Sequence, residues 1–146
     1  MSNVVKIAIS MNRNEKINCI DSVTAYAGKG LENDRFFKDN NNSSSQLTLI
    51  ESENIDNFNK SLGSKISYID FRRNIVTKDI RLNNLMDKEF FIGSVKVKAH
   101  DLCEPCIHLQ KMLKQEKLIK NLIHKAGLRC EILISGKISV GDMIKY

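Results

Sequence analysis

The chain has 146 residues, 42% of them hydrophobic and 27% charged, and a formal net charge of +6. This is close to the commonest size of one domain and rules out a mostly disordered chain or two domains of ordinary size. No apolar run approaches the roughly 20 residues a membrane span needs, and Met1-Ser2-Asn3-Val4-Val5-Lys6 lacks the pattern of a secretory signal. The expectation is therefore one cytoplasmic domain over residues 1–146, with no membrane as partner.

In chain order, alternation around β-branched residues predicts a strand over Val4–Ser10. A polar turn follows, and a second strand spans Ile20–Ala27, ended by Gly28-Lys29-Gly30. Asp39-Asn40-Asn41-Asn42-Ser43-Ser44-Ser45 is a flexible loop, after which Gln46–Ile50 resumes as a strand. A helix is expected over Ser52–Leu62, with Ile55, Phe58 and Leu62 as its apolar stripe and Gly63 as the residue that ends it. Asn74–Thr77 reads as a short strand, and Glu89–Ile92 with Val95–Ala99 as a hairpin turned by Gly93-Ser94. Pro105 opens a helix that runs to about Gln115. A second amphipathic stretch, Leu118–Ala126, stops at Gly127, and strands over Leu128–Ile134 and Ile138–Ile144 close the chain. Many short strands with late helices predict an α+β domain, mainly β, built as a closed or partly closed barrel with a few flanking helices. Strands from the two ends of the chain are expected to pair, and an edge strand left open leaves room for a homodimer.

The charge is concentrated. Between Lys111 and Arg129 there are six basic residues and one acid, Glu116. This reads either as a solvated lysine face or as a surface that attracts anions. With no tryptophan and 6% aromatics, there is no stacking platform, so nucleic acid is not the expected partner.

Three segments could carry chemistry. In Gly28-Lys29-Gly30-Leu31-Glu32-Asn33-Asp34-Arg35, a tight turn brings Lys29 near a ligand and Arg35 can clamp a phosphate or carboxylate. In Arg72-Arg73-Asn74, strand alternation would put Arg72 and Asn74 on one face as a donor array, with Arg73 on the other. The third segment is His100-Asp101-Leu102-Cys103-Glu104-Pro105-Cys106-Ile107-His108. Here His100, Cys103, Cys106 and His108 could hold zinc, the cysteine pair could be a redox couple, or both cysteines could be structural. The remaining reading is one reactive thiol. Cys106 falls in the first turn of a helix, where unpaired N–H groups favour a thiolate able to attack sulfur or to ligate a soft metal such as molybdenum.

Taken together and in order, these segments resemble the MOSC family, named for the C-terminal domain of molybdenum cofactor sulfurase. The likeness rests on residues 28–35, on Gln46-Leu47-Thr48-Leu49-Ile50-Glu51, on Arg72-Arg73-Asn74-Ile75-Val76-Thr77, on Leu102–Leu109, and on Gly136-Lys137-Ile138-Ser139-Val140-Gly141-Asp142. The resemblance implies a β-barrel with flanking helices. It makes Cys106 the catalytic cysteine, and the metal ligand where molybdenum cofactor (molybdopterin) is bound, with Cys103 as an accessory thiol. Arg72 and Asn74 match the family's cofactor-anchoring positions, and Lys29 and Arg35 complete the expected cofactor-binding set. The implied activities are sulfur transfer or cofactor-dependent reduction of N-hydroxylated compounds, and the implied partners are the pterin cofactor or a sulfur donor such as a cysteine desulfurase. Phe36-Phe37 and Asn33 depart from the histidine and glycine usual in relatives. The competing reading is a non-catalytic binding or scaffold domain whose cysteine pair is structural or holds zinc.

Overall fold

The computed structural model describes residues 1–13 and 15–146. Eleven strands and three α-helices follow one another along the described chain. β1 (Asn3–Ile9), β2 (Asn18–Ile20), β3 (Ser22–Tyr26), β4 (Gly30–Leu31) and β5 (Leu47–Glu51) come first. Next are α1 (Ser52–Leu62), β6 (Ile75–Lys78), β7 (Glu89–Ile92) and β8 (Val95–Leu102). The chain ends with α2 (Ile107–Met112), α3 (Leu118–Leu122), β9 (Leu128–Ile134), β10 (Gly136–Ser139) and β11 (Ile144–Lys145).

An eight-stranded sheet has the order β11-β7-β8-β9-β5-β6-β1-β2, and a smaller one the order β10-β3-β4. All pairings are antiparallel except β5 with β6, which α1 connects. A parallel pair needs such a crossover, and the crossover covers the sheet's outer face. Successive residues therefore feed two cores. Leu49 and Ile75 point into the large core with Val4, Ile7, Phe90 and Leu128. Ile50 and Val76 point outward, into a second core with Ile55, Phe58, Phe71, Leu118 and Leu122. Phe58 and Phe71 meet edge to face there, with ring centroids 6.2 Å apart.

Helix α1 has the bounds its periodicity predicts, and Gly63 ends it with φ 63°. The hairpin at Gly93-Ser94 forms as expected. The structure corrects three expectations. The strand expected over 20–27 is broken at Asp21: β2 pairs with β1 in the large sheet, while β3 pairs with β10 and β4 in the small one. The last strand is likewise divided, because Gly141 turns at φ 93° and Asp142 accepts the Ser139 N–H at 2.8 Å. Both late helices are shorter than their amphipathic stretches, and His124, at φ 63°, interrupts the second.

A closed barrel does not form, since neither sheet closes on itself. The ends of the chain do meet. Val4 N–H donates to Asp142 O (2.9 Å), Gly141 N–H to Val4 O (2.8 Å) and Ile144 N–H to Ser2 O (3.0 Å), with an isolated bridge between Asn3 and Met143. This is a seam of one bridge beside β11 rather than a ladder between edge strands. Among the described residues, no helix is long and apolar enough to cross a membrane.

Candidate functional site

The segment between β8 and α2 is built from backbone outward. The Cys103 N–H donates to Gly127 O at 2.8 Å, and the side chain of Cys103 is buried. Gly127 is required there: at φ 111°, an added Cβ would lie 1.8 Å from Leu49 O. Glu104 turns outward and holds His124 twice, accepting its backbone N–H and its Nδ1 at 2.6 Å each. Pro105 is buried, and Cys106 then caps α2 in extended geometry (φ −120°, ψ 163°). Its Sγ accepts the Leu109 N–H at 3.5 Å, and the residue is exposed. The expected helix start is thus present, with Cys106 as the capping residue itself. An N–H aimed at the sulfur stabilises negative charge on it.

Arg73 braces this segment. Its Nη2 donates to Cys103 O (3.1 Å) and Glu104 O (3.3 Å), its Nε to Ala126 O (3.0 Å) and its Nη1 to Phe71 O (3.2 Å). Arg72 goes elsewhere. It ends a single 3-10 turn at φ 63°, outside the strand. The alternation that would have paired it with Asn74 therefore does not apply. Its guanidinium donates to Arg13 O and Glu15 O, both at 2.9 Å, and so anchors the loop between β1 and β2. Asn74 is buried between three strands. Its Oδ1 accepts from Thr48 N–H and Oγ1 at 3.1 Å, and its Nδ2 donates to Ala8 O at 3.1 Å.

Arg35 lies on the loop after β4. Its N–H donates to Ser10 O (2.7 Å), and the preceding Asp34 accepts the Ser10 N–H (3.1 Å). The guanidinium stands 3.5 Å from Asp34 Oδ1 and 4.5 Å over the Phe36 ring. Burial, and then Arg72, Arg73 and Arg13, push this guanidinium below its ordinary value against the pull of Asp34. Three further guanidiniums thus add positive charge that Arg35 feels, and Asp34, its ion-pair partner, has an Oδ2 that is buried without a partner among the described residues. An open cleft of about 430 Å³ borders the cluster, lined by Met11, Asn12, Arg13, Arg35 and Phe36. Lys29 is on the other side of the same loop. It pairs with Asp39 at 3.3 Å and lines a second cleft with Tyr26, Glu32, Asn33, Asp34 and Phe37.

The expected residues therefore fall into two groups. Cys103 and Cys106 share one loop, which Arg73 links to the arginine cluster that contains Arg35 and Arg72. Lys29 and Asn74 are not brought to either: Lys29 lines a separate cleft and Asn74 is buried inside the sheet. Sequence reasoning gave no role to Arg13, read only as part of a polar turn, and none to Arg73 beyond the face opposite Arg72 and Asn74. Its one available signal was the Arg72-Arg73 doublet before a strand.

The zinc alternative does not assemble. Among the described residues, no three His, Cys, Asp or Glu side chains converge as a metal site. His100 is instead held by Glu131 across the β8–β9 pair at 2.8 Å. Another cleft, about 570 Å³, contains no cysteine in its lining and carries Glu51, Glu53 and Asp79 together with Arg81, His124 and Lys125. Glu53 is tied to Asp79 N–H and Glu51 to Leu82 N–H. The lining of that cleft is of mixed charge, whereas the cleft of Arg13 and Arg35 carries no acid and so suits an anion better.

Comparison with known proteins agrees with this architecture. No curated protein matches the sequence. Among solved structures, the YuaD protein of Bacillus subtilis superposes with a TM-score of 0.82 at 16% identity, over 100% of this chain and 97% of that one. YiiM of Geobacillus stearothermophilus gives 0.78 at 14% identity, over 99% and 74% of the two chains. YiiM of Escherichia coli gives 0.74 at 15% identity, over 99% and 69%. These similarities concern the fold alone. The model of the MOSC domain matches residues 33–145, which include Arg35, both arginines before β6 and the whole cysteine loop, and the chain belongs to the MOSC domain family.

Proposed function

We propose that this MOSC domain binds a molybdenum cofactor, with the Cys106 sulfur as its metal ligand and the arginine cluster receiving the anionic end. The carrying observation is a cationic cleft: Arg13 and Arg35 line it, Arg72 and Arg73 add positive charge that Arg35 feels, and Arg73 also donates to the Cys103 carbonyl in the loop of Cys106. The donor set suits the group. A thiolate is a soft ligand, and a guanidinium meets a phosphate with two parallel donors. When bound, the cofactor would supply the metal-centred redox chemistry that the side chains here lack.

The protein's own residues hold and orient. Arg35 and Arg13 line the cleft and meet the anion. Arg72 holds the Arg13 carbonyl and so fixes that loop. Asn74 locks β1, β5 and β6 beneath it, and Lys29 adds positive charge from the far side of the Asp34-Arg35 loop. Cys106 presents its sulfur at the surface, with the Leu109 N–H behind it. Buried Cys103 is an accessory that shapes the loop.

The test is expression in a host that makes the cofactor, followed by molybdenum and pterin assay of the purified protein. Wild type retains both. Cys106→Ser loses molybdenum, and Arg35→Gln retains about tenfold less pterin, in line with the loss of a hydrogen bond to a charged group. Wild type free of molybdenum and pterin would sink the reading. The exposure of Cys106 favours a second reading, in which it carries sulfur as a persulfide received from a cysteine desulfurase. Mass spectrometry after incubation with that enzyme and cysteine then finds one added sulfur on Cys106.

A further inference from the structure

Helices α2 and α3 and the segments around them hold Lys111, Lys114, Lys117, Lys120 and Lys125 against one acid, Glu116. All five lysines are exposed. The ion pairs among the described residues involve other groups. Large apolar side chains stand exposed among the lysines: Ile107 at 54%, Met112 at 39% and Ile123 at 51%. On α2, the exposed positions 107, 108, 111 and 112 form one face opposite buried Leu109. That face starts at Cys106, the exposed N-cap of the same helix.

We infer that this face docks an acidic surface of a partner protein and brings that partner over Cys106. The inference rests on Cys106 being the residue that handles cofactor or sulfur, and it goes beyond that reading by naming where the partner sits. Unpaired lysines around apolar side chains match the anatomy of a transient interface, with an apolar centre and a charged rim that steers encounter. The other occupants fit less well. Helices of six and five residues are too short to lie in a lipid surface as amphipathic anchors. Between Ile107 and Lys125 there is no Phe, Tyr, Trp or Arg, and with His124 held by Glu104 only His108 is left to stack, so a single strand of nucleic acid finds no platform of successive rings. A second copy would set lysine against lysine in an isologous contact.

Four probes are titrated in parallel by fluorescence anisotropy: an acidic amphipathic peptide of glutamate and leucine, polyglutamate, polyuridine and phosphatidylserine vesicles. Alkylation of Cys106 is followed in each mixture. The expected result is preferential, salt-sensitive binding of the glutamate–leucine peptide, with several-fold slower alkylation of Cys106 in the complex. Lys111→Glu/Lys114→Glu/Lys117→Glu weakens that binding about tenfold or more. Ile107→Ser/Met112→Ser weakens it several-fold. Circular dichroism of both variants checks that they fold. Tighter binding of RNA, vesicles or polyglutamate, equal binding by the charge-reversed variant, or unchanged alkylation would each overturn the inference. A purified protein without molybdenum would leave all these readouts intact, so the two proposals fail separately.

Discussion

Cys103 and Cys106 stand three positions apart in one loop, yet they belong to different regions of the molecule. Cys103 is 3% exposed, its N–H held by Gly127 and its carbonyl by Arg73. Cys106 is open to solvent, with one N–H donor behind its sulfur. The change occurs across Glu104-Pro105, where the chain leaves the sheet and enters a helix. A Cys-x-x-Cys spacing therefore does not by itself make a symmetric pair. Here one thiol is part of the protein's interior and the other stands at its surface.

Exchange of the two sulfurs for oxygen tests this contrast most strongly. Cys106→Ser is expected to lose molybdenum and persulfide capacity altogether while the fold stays as stable, or gains a few tenths of a kcal/mol, because serine is a good N-cap. Cys103→Ser is expected to keep Cys106 reactivity and to lose about 1–3 kcal/mol, because a hydroxyl enters a buried site without a designed partner. Denaturant unfolding and cofactor assay on both variants decide. The reverse pattern would mean that the working thiol is Cys103.

Gly127→Ala attacks the buried side alone. A Cβ cannot sit 1.8 Å from Leu49 O, so β9 must move away from β5. The expected loss is about 4 kcal/mol or more, the range of severe overpacking. A loss below about 1 kcal/mol would show that the strands there separate easily. Arg73→Lys is milder. It removes the planar fork that serves four carbonyls at once, and it should cost about 1.5–3 kcal/mol and loosen the loop of Cys106. Faster alkylation of Cys103 in that variant reads the loosening directly.

The smallest effect is a pH dependence. Burial, followed by the nearness of Cys103, pushes the Cys130 thiol above its ordinary value of 9.0. The native state then keeps a proton that the unfolded state releases, so the native state binds more protons. Its stabilising share is complete below pH 9 and is lost progressively as pH rises above it. Wild type should therefore lose stability between about pH 9 and 10.5 faster than Cys130→Ala, even though the variant starts lower because of the cavity. Parallel slopes would remove Cys130 from the alkaline transition.

How far the sequence disclosed this arrangement varied with the kind of interaction. Helix α1, its glycine stop, the Gly93-Ser94 hairpin and the helix opening after Pro105 were legible because each is set by local periodicity and turn chemistry. The place of Cys106 at that helix start was legible for the same reason. The functions of Arg72 and Arg73 were not, because alternation holds only inside a strand and Arg72 is in the left-handed region just before it. The failure of the barrel to close was also hidden. It depends on how β10 leaves for the small sheet and on the turn at Gly141, and neither is a property of one segment. The cationic surroundings of Arg35 were hidden too, because they draw on Arg13, Arg72 and Arg73 from other stretches of the sequence.

The seam between residues 2–4 and 141–144 has a consequence for how the protein is made. β1 gains its partner β6 only after about half of the chain has been synthesised, and the hydrogen bonds of Ser2 and Val4 wait for Gly141, Asp142 and Ile144. Until those residues leave the ribosome, the start of the first strand lacks these partners and is prone to wrong contacts, while its end is already paired with β2. Completion of the fold is therefore a late step that follows synthesis of the last strand, with the slow closure expected of long-range pairing.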